Sequence, residues 1–212
     1  NANLRGETLR VLEVGIEHFL PARAGTIGLS LFERRIDDYS QRLTLLEGER
    51  WVERPFNLGQ ARSRGLLFDA KAKLDSLGLP KLTARANLSL SRTRVEGSIL
   101  GDGPRKGGNL GLDYETPYTG LTLGGLFSYT SALDRDSSLT VRQQQDARRQ
   151  LDVYATYKID RQLTLRASAQ NVTGEKARNQ VWEYDSAGAL KRQEVESRRA
   201  NRSFLLTLEG KW

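Results

Sequence analysis

Apolar and polar residues alternate with a period of two along most of this chain, the spacing of strands with one apolar face and one polar face. About nine segments carry the pattern. The first, residues 8 to 20, sets Leu12, Val14 and Ile16 against Glu13, Gly15 and Glu17, and the second sets Ile27, Leu29 and Leu31 against Thr26, Gly28 and Ser30. Two more follow, with Leu66, Phe68, Ala70, Ala72 and Leu74 against Asp69, Lys71 and Lys73, then Leu82, Ala84, Ala86, Leu88 and Leu90 against Thr83, Arg85, Asn87 and Ser89. Leu110, Leu112 and Tyr114 mark a fifth, and Leu121, Leu123, Gly125, Phe127 and Tyr129 a sixth. The seventh carries Leu151, Val153, Ala155, Tyr157 and Ile159, the eighth Leu163, Leu165, Ala167 and Ala169, and the ninth is the ending, Ser203 to Trp212.

The polar faces hold full charges in mid-strand. A packed core rejects unpaired charges, whereas a water-filled lumen accepts them. The connections alternate as well. Residues 21–25, 75–81, 116–120 and 159–162 are short turns, and between them lie long polar segments, Ser40 to Gln60, Val95 to Gly108, Leu133 to Arg149 and Thr173 to Arg199. Short turns on one edge and long loops on the other are the pattern of an outer-membrane barrel. Phe19, Tyr114, Tyr118, Tyr157 and Trp212 fall near the short-turn edge, where an aromatic girdle would lie. The expected fold is therefore all-β, an antiparallel up-and-down transmembrane barrel segment of about nine strands. If the short turns are periplasmic, the first and ninth strands run the same way. Nine such strands cannot close an antiparallel barrel, so the segment is expected to be incomplete on its own.

Composition fits this picture. The 212 residues are 38% hydrophobic and 28% charged, no run reaches the roughly 20 apolar residues of a spanning helix, and neither Cys nor Met occurs. Without Cys there is no thiolate nucleophile or metal ligand. The absent starting Met suggests a piece of a longer chain. The net charge of +7 is spread among Asp and Glu with no basic helix, so nucleic-acid binding is not expected.

Catalytic chemistry has few players. His18, the single His, reads as a girdle residue. Asp37 and Asp38 are adjacent, and neighbours on a strand point to opposite faces, so they form no acid/base pair. Asp134 and Asp136 could offer oxygens to a cation, but read more simply as solvated loop carboxylates. No enzyme, cofactor or metal site is expected.

The succession of motifs resembles the TonB-dependent outer-membrane receptors. Asn1-Ala2-Asn3-Leu4-Arg5-Gly6-Glu7-Thr8 followed by Leu12-Glu13-Val14-Gly15-Ile16-Glu17 is similar to a family strand entry, with Ala2 and Gly6 where prolines are common. Phe32 to Tyr39 resembles a strand ending before a long loop, and Asn57-Leu58-Gly59-Gln60-Ala61 with Ser63-Arg64-Gly65-Leu66 resembles the start of the next strand. Leu165 to Lys176 resembles the end of the penultimate strand, and Phe204, Leu206, Leu208 and Trp212 the terminal signal read by the barrel-assembly machinery.

The resemblance implies that residues 1–212 form the C-terminal part of a barrel that has about 22 strands and a plugged lumen in the family. The plug domain, which contacts TonB, would lie outside this chain. It further implies a bacterial outer-membrane location, contact with outer-membrane lipid and lipopolysaccharide, and uptake of a small-molecule ligand such as a ferric siderophore. Ligand selection is expected from the long segments, where function concentrates on loops held by a rigid scaffold. The candidates are Trp51, Arg54 and Phe56; Arg142, Gln143 and Arg148; and Trp182, Tyr184 and Arg192. Arg suits anionic chelates through paired hydrogen bonds, and the aromatics suit stacking. A small barrel acting as adhesin or structural protein without a plug, and a secreted β-rich binding domain, are the competing readings.

Overall fold

The computed structural model describes residues 3–48, 50–95, 105–138, 140–185, 187–199 and 201–210, without the side chains of 43–47, 51, 137 and 138. Its strands form three antiparallel sheets. The largest has nine strands in chain order: β1 (Thr8–Leu20), β2 (Gly25–Asp37), β5 (Ala61–Lys73), β6 (Leu82–Val95), β7 (Arg105–Glu115), β8 (Leu121–Thr130), β11 (Arg148–Lys158), β12 (Leu163–Gln170) and β15 (Ser203–Gly210). These are the nine segments marked by the alternation. Among the described residues β1 and β15 do not pair, so the sheet is an unclosed arc of barrel.

Register carries the alternation across the whole sheet, because directly paired residues share a face. Val14, Leu31, Leu66 and Leu90 form one cross-strand row, and Ile16, Leu29, Phe68 and Leu88 the next. The apolar face continues through Leu110, Phe127 and Leu151, and through Tyr157, Leu165 and Leu208. It has almost no cover: Ile16 is 71% exposed and Phe204 79%, while Phe32 and Ala61 alone among described hydrophobics are buried. An apolar surface of this extent needs a non-aqueous neighbour.

Local chemistry sets the turns. Pro21 opens the β1–β2 turn. Asp75 to Leu77 makes one tight turn closed by Gly78 at φ 75°, and Asp75 accepts the Lys81 N–H at 3.1 Å. Asp160 accepts from the N–H groups of Gln162 and Leu163 at 2.7 and 2.8 Å, the side-chain-to-backbone closure that favours Asp in turns.

The long segments are more ordered than the alternation suggests. β3 (Ser40–Glu47) and β4 (Arg50–Asn57) form a separate hairpin; β9 (Leu133–Ser138), β10 (Val141–Gln145), β13 (Lys176–Tyr184) and β14 (Leu190–Arg199) join as a four-stranded sheet in the order β14-β13-β10-β9. Two long connections thus fuse through the β10–β13 pairing. The base of β3–β4 is pinned by Asn57, whose Nδ2 donates to the carbonyls of Arg5 and Asp38 at 3.0 and 2.5 Å, and whose Oδ1 accepts the Arg5 N–H at 2.8 Å. Glu7 accepts both the N–H and the hydroxyl of Ser40 at 2.6 and 2.7 Å. These bonds hold the Glu7 carboxyl below its usual range.

Candidate functional site

The polar face of the large sheet is concave and highly charged. Its hollow, about 560 Å³, is lined by Asp69, Lys71, Arg85, Asn87, Asn109, Tyr154 and Arg166 among others. Arg85 pairs with Asp113 and also donates to the Tyr154 hydroxyl at 3.1 Å, and that hydroxyl in turn donates to Asp113. Arg166 stacks over the Tyr154 ring at 4.5 Å, a cation–π contact.

This cluster spans β6 to β12, and its Arg85–Tyr154 bond joins β6 to β11, which are separated by β7 and β8, so those long side chains must cross two intervening strands about 4.8 Å apart. Gly124 makes room: a Cβ there would lie 2.2 Å from the Tyr154 ring. The sequence reading expects luminal charges such as Glu13, Glu17, Lys71, Lys73, Arg85 and Arg166 to pair with one another or with a plug, and Arg85 pairs within the wall. Glu13, Glu17, Lys71 and Lys73 have no partner among the described residues. Tyr154 was not singled out by sequence reasoning; the signal available was a bulky aromatic at a polar-face position opposite Gly124.

The girdle expectation divides. Tyr114 pairs with Leu82 and Leu123, and Tyr157 with Leu121 and Leu165, so both lie on the apolar face near the short turns. His18 joins them opposite Ile27. Phe19 pairs with Thr26 and falls on the polar face instead, because adjacent residues on a strand alternate. Tyr118 sits in the turn itself.

The proposed ligand contacts fall in three places. Arg54 and Phe56 lie on β4, opposite Leu43 and Gln41; Trp51 pairs with Leu46, and its side chain lies outside the described residues. Arg142, Gln143, Trp182, Tyr184 and Arg192 all lie on the four-stranded sheet. Arg142 is directly opposite Trp182, with Tyr184 two positions farther along the same face.

Arg142 is already engaged: its Nε and terminal nitrogen donate to the two Asp134 oxygens at 2.9 and 2.7 Å. The guanidinium holds the Asp134 carboxyl below its usual range, which gives that carboxylate a protein partner in place of a cation. Gln143 and Arg192 lie on the opposite face. Gln143 accepts from Arg135 at 3.3 Å and borders a hollow of about 320 Å³ with Arg135, Gln145, Asn179, Glu196 and Arg198. Arg192 contacts Glu194 at 2.9 Å and Glu183 at 3.8 Å. Arg148 is not in a loop; it begins β11 and donates to Gln150 at 3.1 Å on the barrel wall.

Of the terminal signal residues, Phe204, Leu206 and Leu208 line the apolar face opposite Ala169, Ala167 and Leu165. Trp212 lies outside the described residues.

The ordered succession of strands and the polar concave wall agree with a family comparison: residues 1–172 match the model described as TonB dependent receptor-like, beta-barrel. The chain belongs to the TonB-dependent receptor family. Its fold is also that of FpvA from P. aeruginosa, solved bound to a heterologous ferric pyoverdine, with a TM-score of 0.61 at 12% identity. The likeness covers 98% of this chain and 27% of FpvA, so the chain spans about a quarter of that receptor's length. No curated protein matches. The family is one of bacterial outer-membrane receptors rather than enzymes, and its name implies TonB and a small-molecule ligand as partners.

Proposed function

We propose that this chain serves TonB-dependent uptake of a ferric siderophore across the bacterial outer membrane, as the C-terminal part of a plugged barrel. The observation that carries the reading is the pairing of an uncovered apolar face with a charged concave face in one sheet of a receptor-family barrel. Lipid would cover the first, and the second would line the lumen beside the plug. Lipopolysaccharide would meet the long-hairpin edge, and the barrel-assembly machinery would read the terminal strand.

Ligand capture falls to the hairpins. Trp182 and Tyr184 offer aromatic faces beside the Arg142–Asp134 pair, and Arg54 and Phe56 offer a second cation and ring from β4. Arg148 acts lower, at the top of the wall. Gln143 and Arg192 address the other side of the hairpin sheet. The FpvA structure, with its bound ferric pyoverdine, supports the choice of a siderophore as ligand.

The test is uptake of iron-55 carried by a panel of siderophores into cells with and without the receptor, in TonB-positive and TonB-negative backgrounds. Accumulation that requires both is the expected result. Receptor-dependent binding to cells with no TonB dependence would favour a barrel acting as an adhesin.

A further inference from the structure

The four-stranded hairpin sheet joins the wall through four connections, and three of them meet at one junction. At its centre, β11 runs past its neighbour: the pairing with β12 stops at Val153–Ala169, while Arg148 to Asp152 continue beside β8 alone. The stretch between β12 and β13, Asn171-Val172-Thr173-Gly174-Glu175, folds over that uncovered edge. The Val172 N–H donates to the Leu151 carbonyl at 2.9 Å, the Asn171 N–H to Asp152 Oδ1 at 2.7 Å, and the Arg149 N–H to the Glu175 carboxylate.

Local chemistry fits the turn. Asn171 sits at φ 51° and Gly174 at φ 62°, left-handed positions that Asn and Gly tolerate best. Asn171 is 5% exposed, the one buried polar residue among those described. Its Oδ1 accepts the Glu175 N–H at 3.4 Å and its carbonyl accepts the Gly174 N–H at 2.8 Å. A buried amide of this kind favours one geometry, because rearrangement would strand its polar atoms.

The connection between β10 and β11 enters at the same point: the Asp146 N–H donates to the Arg178 carbonyl at 3.0 Å, and Arg149 is the residue that Glu175 holds. The connection between β14 and β15 brings Arg202 against Gly174, where a Cβ would lie 3.2 Å from the guanidinium. Along β11 the network continues on one face. Gln150 Nε2 donates to both Asp152 oxygens at 3.0 and 3.1 Å, and Gln150 Oε1 accepts from Arg148. The connection between β8 and β9 stands apart, tied to β7 through Ser131 and Lys106.

We infer that Asp152, Asn171 and Glu175 are positioning residues that bolt the hairpin sheet to the wall, so that Arg142, Trp182 and Tyr184 on the sheet keep a fixed place relative to Arg148 on the wall. The positioning role rests on the proposed function, in which the sheet captures the ligand, and adds the device that aims it. Two features distinguish a bolt from an ordinary turn. A turn could leave the uncovered edge to water, yet two carboxylates take main-chain N–H groups across the gap in opposite directions, Asp152 from the turn and Glu175 from β11, as charge-assisted bonds. Glu175 also immediately precedes β13, so its bond to Arg149 ties the connection that leaves the wall to the one that returns.

The test uses the full receptor in outer membranes, with paired cysteines carrying spin labels; this chain contributes no native Cys. Labels at Arg161 and Gln193, both exposed, report the distance from wall to hairpin sheet, and labels at Ser76 and Arg161 report the wall itself. Heat-modifiable migration establishes assembly. Wild type and Glu175→Gln, which keeps an oxygen acceptor for the Arg149 N–H, should give one narrow wall-to-hairpin distance. Glu175→Ala should lose that narrow peak, and so should Asn171→Gly, which preserves the backbone angle while deleting the amide. The wall distance should stay unchanged in every variant.

An unchanged wall-to-hairpin peak with faster exchange of the Arg149 amide would mean that the cluster only covers a strand edge, and overturns the assignment. Loss of the wall distance as well, or failure of both variants to assemble, would make it a brace of the wall and overturns the assignment equally. Each of these outcomes leaves the uptake reading standing, since that reading succeeds or fails in the separate iron-55 measurement.

Discussion

The nine-stranded wall and the four-stranded hairpin sheet use the same backbone pairing but answer to different surroundings. In the wall, the middle of the strands sorts apolar from polar residues with few exceptions such as Leu126 and Leu205, and the register aligns the sorted faces across neighbours. In the hairpin sheet the sorting is lost: β14 reads Leu-Lys-Arg-Gln-Glu-Val-Glu-Ser-Arg-Arg and is exposed along its whole length. The wall is held by main-chain ladders and leaves a wide apolar face that needs a non-aqueous neighbour. The hairpins are held by main-chain ladders and ion pairs such as Arg142–Asp134 and Arg198–Glu196, which are individually weak at exposed positions. Hairpins held more loosely than the wall suit the proposed receptor role, since segments that capture a ligand must be able to move.

Substitutions should separate the two regions sharply. The largest effect is expected for Leu29→Arg, in the middle of the apolar band between Ile16 and Phe68. A charge there should cost about 2–4 kcal/mol if lipid covers the face, measured by denaturant unfolding in vesicles. Gly124→Ala should cost about 1–3 kcal/mol by overpacking, because the new methyl would meet the Tyr154 ring. The change should also break the Tyr154–Asp113 bond, read as altered Tyr fluorescence or faster exchange of β8 and β11 amides.

The smallest effect belongs to the hairpins. Asp134→Asn should leave wall stability unchanged while speeding amide exchange in β9 and β10. Its pH counterpart has a definite sign. The Asp134 carboxyl titrates below its ordinary range because Arg142 hydrogen-bonds it, so the pair's contribution is complete above that range and is lost as pH falls through the depressed value. Hydrogen exchange in β9–β10 should therefore accelerate beyond its intrinsic pH trend on acidification in the wild type, and not in the Asn variant.

This contrast also explains what could be read from the chain. All nine wall strands were visible because the sheet has one apolar and one polar face, which imposes a period of two on them. The hairpin strands were not: Ser40 to Gln60, Leu133 to Arg149 and Thr173 to Arg199 read as long polar loops because they carry no sustained apolar alternation. Strand starts were legible by a different signal. Apolar alternation in the third wall strand begins at Leu66, whereas β5 begins at Ala61, inside the stretch Asn57 to Leu66 that resembles a family strand start, so Arg62 and Arg64 were announced by the motif and not by apolar periodicity.

Contacts that depend on register were likewise hidden. That Arg10, Arg35, Arg62 and Arg94 share one row requires three pairings at once. The candidate ligand residues were chosen by type and segment, which placed five of them on one sheet but could not reveal that Arg142 is bound to Asp134 or that Arg148 belongs to the wall.

The central claim is that one face of the nine-stranded sheet meets lipid and the other water. It is tested most directly by a single-cysteine scan along β11 and β12, which is clean because the chain has no native Cys. Cysteines at Val153, Ala155 and Ala167 should resist a membrane-impermeant maleimide and, once spin-labelled, should be accessible to oxygen. Those at Thr156 and Ser168 should react from water. Equal aqueous reactivity at both sets of positions would contradict the account.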